Sequence, residues 1–291
     1  MNQSRRKVLT MVHDGKLTVD EAEDLLDAIE IPLDRMVPEI PRIELVGESE
    51  QMRAYRKRLD RIAATQSPAL IQGEPGTGKA AAARYVHYHG NRAGEAFAEL
   101  DCSQSAVLAE SEIFGHEEGA FTGAVRAKKG LLDSVAGGSL LLSDVDALPP
   151  ETQSKLQTLI RNGTFTRVGG TRQLHADVRL IGVCSGDLKD RVDCGRFSPD
   201  LHQSLSVCLA RTTPLRERPG DIPVLVEHFV GKQAERDGRR PPRISSEALK
   251  ALSGHNWPRN ESEVANVIER AMMLCEGDEI RSEHLPSLLG A

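Results

Sequence analysis

Gly73-Glu74-Pro75-Gly76-Thr77-Gly78-Lys79 is the stretch that decides the fold of this 291-residue chain. An apolar run at 69–71 leads into it, and a helical pattern at 79–88 leads out. Glycines at this spacing let consecutive backbone N–H groups turn inward around phosphate oxygens. The helix N-terminus adds partial positive charge, and Lys79 reaches the outer phosphates. The strand–loop–helix context therefore predicts a polyphosphate cradle built from Gly73, Glu74, Pro75, Gly76, Thr77, Gly78, Lys79 and Ala80. One position departs from the general pattern. The residue after the lysine ordinarily carries a hydroxyl for Mg²⁺, and Ala80 has none.

Outward from that loop, short apolar runs at 69–71, 97–100, 140–142 and 178–183 alternate with helical patterns. Each run is too short and too uniformly apolar to be half exposed, which predicts a central parallel sheet. Helices between the strands imply right-handed crossovers, hence an α/β core over 43–213 with helices flanking the sheet. After Pro214 only helical patterns follow, at 222–236, 246–252 and 260–274, which predicts an all-helical subdomain over 214–291. Upstream, 1–30 reads as a short helical hairpin: Val8, Leu9 and Val12 share one face, Thr18 and Glu21 form a capping box, and Val19, Ala22, Leu25, Leu26 and Ile29 stripe the second helix. The hairpin either docks on its own domain or serves as a partner-binding module. Pro32, Pro38 and Pro41 mark 31–42 as a linker.

Composition narrows the function class. The formal net charge is -6, which argues against a free-standing basic nucleic-acid binder. The five cysteines, Cys102, Cys184, Cys194, Cys208 and Cys275, have neither metal-ligand nor redox-pair spacing, so reduced thiols are expected. The N-terminus lacks the apolar centre of a signal peptide, and no run is long enough to span a membrane, so a cytoplasmic location is expected.

Phe114-Gly115-His116-Glu117-Glu118 runs directly into Gly119-Ala120-Phe121-Thr122-Gly123-Ala124. Gly137-Gly138, Arg167-Val168-Gly169-Gly170, Pro214-Leu215-Arg216-Glu217-Arg218, Gly220-Asp221-Ile222-Pro223 and Trp257-Pro258 follow in order. With the phosphate loop, these motifs resemble the sigma-54-interacting AAA+ transcriptional activators over about 43–289. The resemblance implies a AAA+ P-loop NTPase core with a helical lid, ATP and Mg²⁺ as cofactors, and sigma-54 RNA polymerase as partner. It also implies assembly into a ring, homo-oligomeric or mixed with an active relative. Gly119 to Ala124 would be the sigma-factor contact, with Phe121 and Thr122 touching it. Glycines flanking an apolar Phe121 predict a mobile tip that presents the ring. The usual helix-turn-helix would follow the lid, but the chain ends at Ala291, so direct sequence-specific DNA binding is not expected.

The hydrolysis machinery departs from the family pattern. Its metal-binding acid and its water-orienting glutamate align with Ser143 and Asp144. Asp144 is one methylene shorter than glutamate and is the weakened candidate for both catalytic and metal roles, with Asp146 nearby. The family's switch asparagine falls at Asp101, its sensing asparagine at Ser185, its two arginine fingers at Ser198 and Ser204, and its lid arginine at Ser262. Arg196, Arg211 and Arg259 lie close by and are the candidate substitutes. An arginine finger is worth about 10³–10⁵ in rate, or roughly 4–7 kcal/mol of barrier. A hydrolysis-impaired, nucleotide-binding modulator of transcription is thus the first reading. The alternative is an active ATPase that remodels the sigma-54 polymerase.

Overall fold

The computed structural model describes residue 43, residues 45–103 and residues 106–286. The hairpin at 1–30 and the linker at 31–42 lie outside the described residues. From Glu44 onward the chain forms one compact unit.

A five-stranded sheet organises it. The strands are β1 (Ala69–Gly73), β2 (Phe97–Asp101), β3 (Ser139–Ser143), β6 (Arg179–Ser185) and β7 (Cys208–Arg211), in the order β2-β3-β6-β1-β7, and every pairing is parallel. Two minor pairs complete the strands: β4 (Thr164–Phe165) with β5 (Leu174–His175), and β8 (Arg243–Ile244) with β9 (Glu279–Ile280). Four of the five sheet strands coincide with the apolar runs. The fifth, β7, escaped the sequence reading because it is four residues long and sits at a sheet edge with Ala210 alone fully buried.

Seven helices cover the sheet: α1 (Glu50–Ala63), α2 (Lys79–Tyr88), α3 (Ala106–Phe114), α4 (Leu131–Ser134), α5 (Pro150–Asn162), α6 (Leu188–Asp193) and α7 (Pro199–Leu205). Alternation along β3 explains the two layers. Leu140 and Leu142 face a cluster with Ile113, Leu156 and Leu201 from α3, α5 and α7. Leu141 faces the opposite cluster, with Leu59 and Ile62 of α1 and Ala82, Ala83 and Val86 of α2. Each fully buried leucine contributes roughly 1.5–3 kcal/mol relative to exposure.

The C-terminal part is helical: α8 (Ile222–Asp237), α9 (Ser246–Gly254) and α10 (Asn260–Leu274) pack around the fully buried Trp257. Trp257 Nε1 donates to the Leu252 carbonyl at 3.0 Å. This bundle is anchored to the start of the core through Asp221. Its carboxylate accepts from Glu48 N (2.7 Å), Ser49 N (2.7 Å) and Ser49 Oγ (2.6 Å), and it pairs with Arg218 at 3.5 Å. The loop at the carboxyl end of β1 meets the helical bundle, at the end of the sheet where open α/β folds place their ligands. Among the described residues no helix is long and apolar enough to cross a membrane.

Candidate phosphate-loop site

The phosphate loop leaves β1 and enters α2 with Gly73, Gly76 and Gly78 at φ 155°, 78° and 80°, which L side chains rarely adopt. Close packing adds a second reason for glycine. A Cβ on Gly73 would lie 1.7 Å from Thr212 Oγ1, and one on Gly76 would lie 2.0 Å from the Arg259 carbonyl oxygen. Thr77 Oγ1 donates to Glu74 O at 2.8 Å and shares a 2.7 Å hydrogen bond with Thr212 Oγ1. Lys79, buried in the first turn of α2, donates from Nζ to Glu74 O at 2.9 Å. Burial pulls its pKa below the ordinary lysine range, against the opposing pull of Asp144, Cys184 and Asp146.

The helical bundle grips this loop from the other side. Arg216 binds the Glu74 carboxylate through both terminal nitrogens, each at 2.7 Å, which, helped by Asn260 and against the opposing effect of burial, holds that carboxyl below its usual range. Buried Asn260 bridges the joint. Its Oδ1 accepts from Leu215 N at 2.8 Å, while Nδ2 donates to Pro75 O at 3.0 Å. Ser262 N donates to Gly76 O at 3.3 Å. Arg218, also buried, binds Glu261 at 2.5 Å, and the Glu261 carboxylate lies 3.0 Å from where a Cβ on Gly78 would stand. Between loop and bundle is a cavity of about 160 Å³.

The second site is the loop from Glu117 to Ala127. His116 and Lys128 exchange backbone hydrogen bonds of 3.0 and 2.9 Å at its base. Gly119 N donates to Ala124 O at 2.8 Å, and Ala124 N to Phe121 O at 2.9 Å, which closes the tip into a compact turn. Phe121 does not stand free as the sequence suggested. Its ring meets His116 edge-on at 4.9 Å and is half-buried, while Thr122 and Gly123 are exposed. His116 is held in turn by a 2.7 Å hydrogen bond to Ser111 Oγ. Apolar contact with an imidazole face covers part of a ring that would otherwise stand in water.

The comparisons with known proteins now decide the family. The sigma-54 interaction domain family matches residues 45–210, and the AAA+ ATPase lid domain family matches residues 216–291. This chain belongs to the sigma-54 interaction domain family. A SHOCT-like domain matches residues 3–32. The chain is 39% identical over 246 residues to the nitrogen fixation protein AnfA of Azotobacter vinelandii, covering 84% of this chain and 46% of AnfA. It is 36% identical over 273 residues to the Nif-specific regulatory protein of the same organism, covering 93% and 51%. It therefore spans about half the length of these relatives. NtrX of Brucella abortus has a similar structure. Its ADP complex aligns with TM-score 0.80 at 33% identity over 92% of this chain and 61% of NtrX, and its ATP complex with TM-score 0.80 at 32% identity over 99% and 66%. The fold is thus the AAA+ P-loop NTPase fold, a parallel sheet flanked by helices with a helical C-terminal part.

The positions expected to carry the catalytic acids hold Ser143 and Asp144. Ser143 Oγ donates to Glu99 Oε1 at 3.3 Å, and Glu99 also pairs with Arg84 of α2. Asp144 sits on a left-handed backbone (φ 48°, ψ 49°), and among the described residues its carboxylate has no hydrogen bond or ion pair. Asp146 is paired with Arg191 at 3.4 Å. Asp101 is held by Ser103, whose hydroxyl and backbone N–H keep the carboxyl below its usual range. Cys184, beside the exposed Ser185, has its thiol pushed up to about 12 by burial.

At the positions expected for the fingers, Ser198 caps α7 by accepting from Leu201 N at 3.3 Å, and Ser204 Oγ turns back to Asp200 O at 2.9 Å. Neither replaces an outward-reaching cation. Of the candidate substitutes, Arg211 is paired with Asp187 at 2.6 Å. Arg259 sets its carbonyl oxygen against Gly76 of the loop, while its N–H donates to Glu263 of α10 at 2.8 Å. Arg196 is exposed and follows α6.

The residues present fit a polyphosphate: inward-turned glycines, a helix N-terminus and a buried lysine. They do not fit a catalytic Mg²⁺ centre. Ala80 offers no oxygen, Ser143 is bonded to Glu99, Asp146 to Arg191, and Asp144 alone remains as a carboxylate for an ion that demands near-ideal octahedral geometry. Sequence reasoning missed Glu74–Arg216, Asn260, Glu261, Tyr55 and Thr212. The quoted Pro214–Arg218 and Trp257-Pro258 motifs held part of the signal, but not which residue meets which.

Proposed function

We propose that this chain is a sigma-54-interaction AAA+ module that binds ATP and regulates transcription without hydrolysing the nucleotide at a useful rate. The observation that carries the reading is the coexistence of an intact phosphate loop, with Lys79 buried in it, and serines at positions 143, 198 and 204. The complexes of NtrX with ADP and with ATP support nucleotide binding at the corresponding loop. In this reading the loop glycines and the α2 N-terminus hold the phosphates, and Lys79 Nζ exchanges the Glu74 carbonyl for a phosphate oxygen. ATP supplies binding free energy here, and no bond-breaking step is assigned to the chain. Gly119 to Ala124 contact the sigma factor of the polymerase, which requires Phe121 to leave His116. Residues 43–213 act as the nucleotide core and 214–291 as its lid. The module works in the cytoplasm, in a ring of its own copies or in a mixed ring with an active relative.

A second reading, an active ATPase that remodels sigma-54 polymerase, is favoured by one observation: Asp144 has no competing partner among the described residues and its charge is felt at Lys79. Calorimetry with ATP and a steady-state turnover assay separate the two. The expected result is measurable ATP binding that is lost in Lys79→Ala, with turnover at background. A robust rate abolished by Lys79→Ala overturns the proposal in favour of the second reading. For the contact loop, capture of sigma-54 by the wild type and its loss in Phe121→Ala is the expected outcome, and equal capture overturns that assignment.

A further inference from the structure

The cavity between phosphate loop and lid has two chemically different ends. Thr77 and Gly78 of the loop form one wall, and Leu45, Val46, Leu225 and Phe229 form an apolar one. Among the polar groups that line the same cavity, two stand out as having no role in the phosphate cradle. One is the carboxylate of Glu261, fixed by buried Arg218 at 2.5 Å and set against Gly78. The other is the hydroxyl of Tyr55 on α1, which is buried and has no hydrogen-bond partner among the described residues. A buried, unpartnered hydroxyl costs about 1–3 kcal/mol in general, and such an atom calls for an explanation. The Glu261 charge is also among the influences that raise the Tyr55 pKa, after burial itself, which places the two groups within electrostatic reach.

A nucleotide whose phosphates lie on the loop and whose base lies among the apolar side chains must put its sugar between them, beside Gly78. We propose that Glu261 and the Tyr55 hydroxyl form a ribose-recognition pair, so that the site selects ribonucleotides over deoxyribonucleotides. The inference rests on the nucleotide-binding reading above and names the part of the ligand that reading leaves open. The chemistry matches: a carboxylate accepts from vicinal hydroxyls, as acidic residues do in other nucleotide folds. A tyrosine hydroxyl both donates and accepts. Arg218 holds the carboxylate in place without facing the sugar itself.

The test is calorimetry on the full chain with ATP, 2′-deoxy-ATP and 3′-deoxy-ATP. A hydrogen bond to a charged group is worth enough that the wild type should bind ATP about tenfold more tightly than at least one deoxy analogue. Tyr55→Phe and the isosteric Glu261→Gln should each move that ratio toward one, with the affinity for the deoxy analogue changing by less than about twofold. Lys79→Ala should weaken all three ligands together and leave the ratio intact. Equal wild-type affinity for ATP and both analogues overturns the ribose assignment while leaving nucleotide binding standing. Failure of the wild type to bind any of the three overturns both.

Discussion

Asp221 combines complete burial with full use of its oxygens, receiving two backbone N–H groups and the Ser49 hydroxyl while facing Arg218. Burial alone would raise its pKa. The Ser49 hydroxyl, the two N–H donors and the arginine outweigh burial, and the net shift is downward. A folded pKa below the unfolded value of about 3.9 means the stabilisation is fully present above that value and disappears as pH falls through the folded one. The urea midpoint is therefore expected to drop on acidification below about pH 4. Asp221→Asn should cost about 3 kcal/mol at pH 7 in the same assay, since one partner of a buried charged pair is removed, and should flatten part of that acid limb. Ser49→Ala, which removes both a bond to Asp221 and the α1 N-cap, should cost about 1 kcal/mol.

At the scale of elements, the joint between α10 and the phosphate loop ties the helical bundle to the site. Asn260→Ala leaves Leu215 N without its acceptor and Pro75 O without its donor, so a loss of about 1–3 kcal/mol is expected. Hydrogen exchange across 73–79 should speed up at the same time, and unchanged exchange there would show that the joint does not restrain the loop. What could be read from the chain follows the range of the interactions. Helix α10 was legible at both ends, because Val264, Ile268 and Ala271 repeat at helical spacing after Trp257-Pro258. The phosphate loop was legible because its chemistry is local to seven residues. Strand β7 was passed over: Val207-Cys208-Leu209-Ala210 is apolar, but the run follows α7 almost directly, ends at the exposed Arg211 and shows no alternation. Glu74 meets Arg216 across 142 positions, and nothing periodic links the two. The Phe121–His116 contact depends on the curl of an irregular loop, which the glycine spacing permits and does not dictate.

For the whole molecule, the departures on which the proposed reading rests are spread widely: the first turn of α2, the ends of β2, β3 and β6, both ends of α7, and the start of α10. Repair at one of them should therefore achieve little, because groups that act as a unit are strongly non-additive. Ser198→Arg with Ser204→Arg should leave turnover at background, whereas adding Ser143→Asp should raise it by about 10³. A coupled phosphate-release assay reads both. In mixtures with an active relative whose own loop lysine is removed, fingers arriving from the neighbour should still meet Ser143, so no turnover is expected at this chain's site. A rate above that of either protein alone would show that the missing groups are supplied in trans.

Trp257 is the single tryptophan of the chain, and it sits at the centre of the helical bundle with no solvent contact and its indole N–H satisfied. Its backbone is left-handed (φ 50°), three residues before Asn260, also left-handed at φ 52°. The protein thus carries a built-in optical gauge: ultraviolet emission from one indole reports on the bundle whose Asn260 touches the ligand cradle. A red shift during titration with nucleotide would register bundle loosening in real time, with no dye attached.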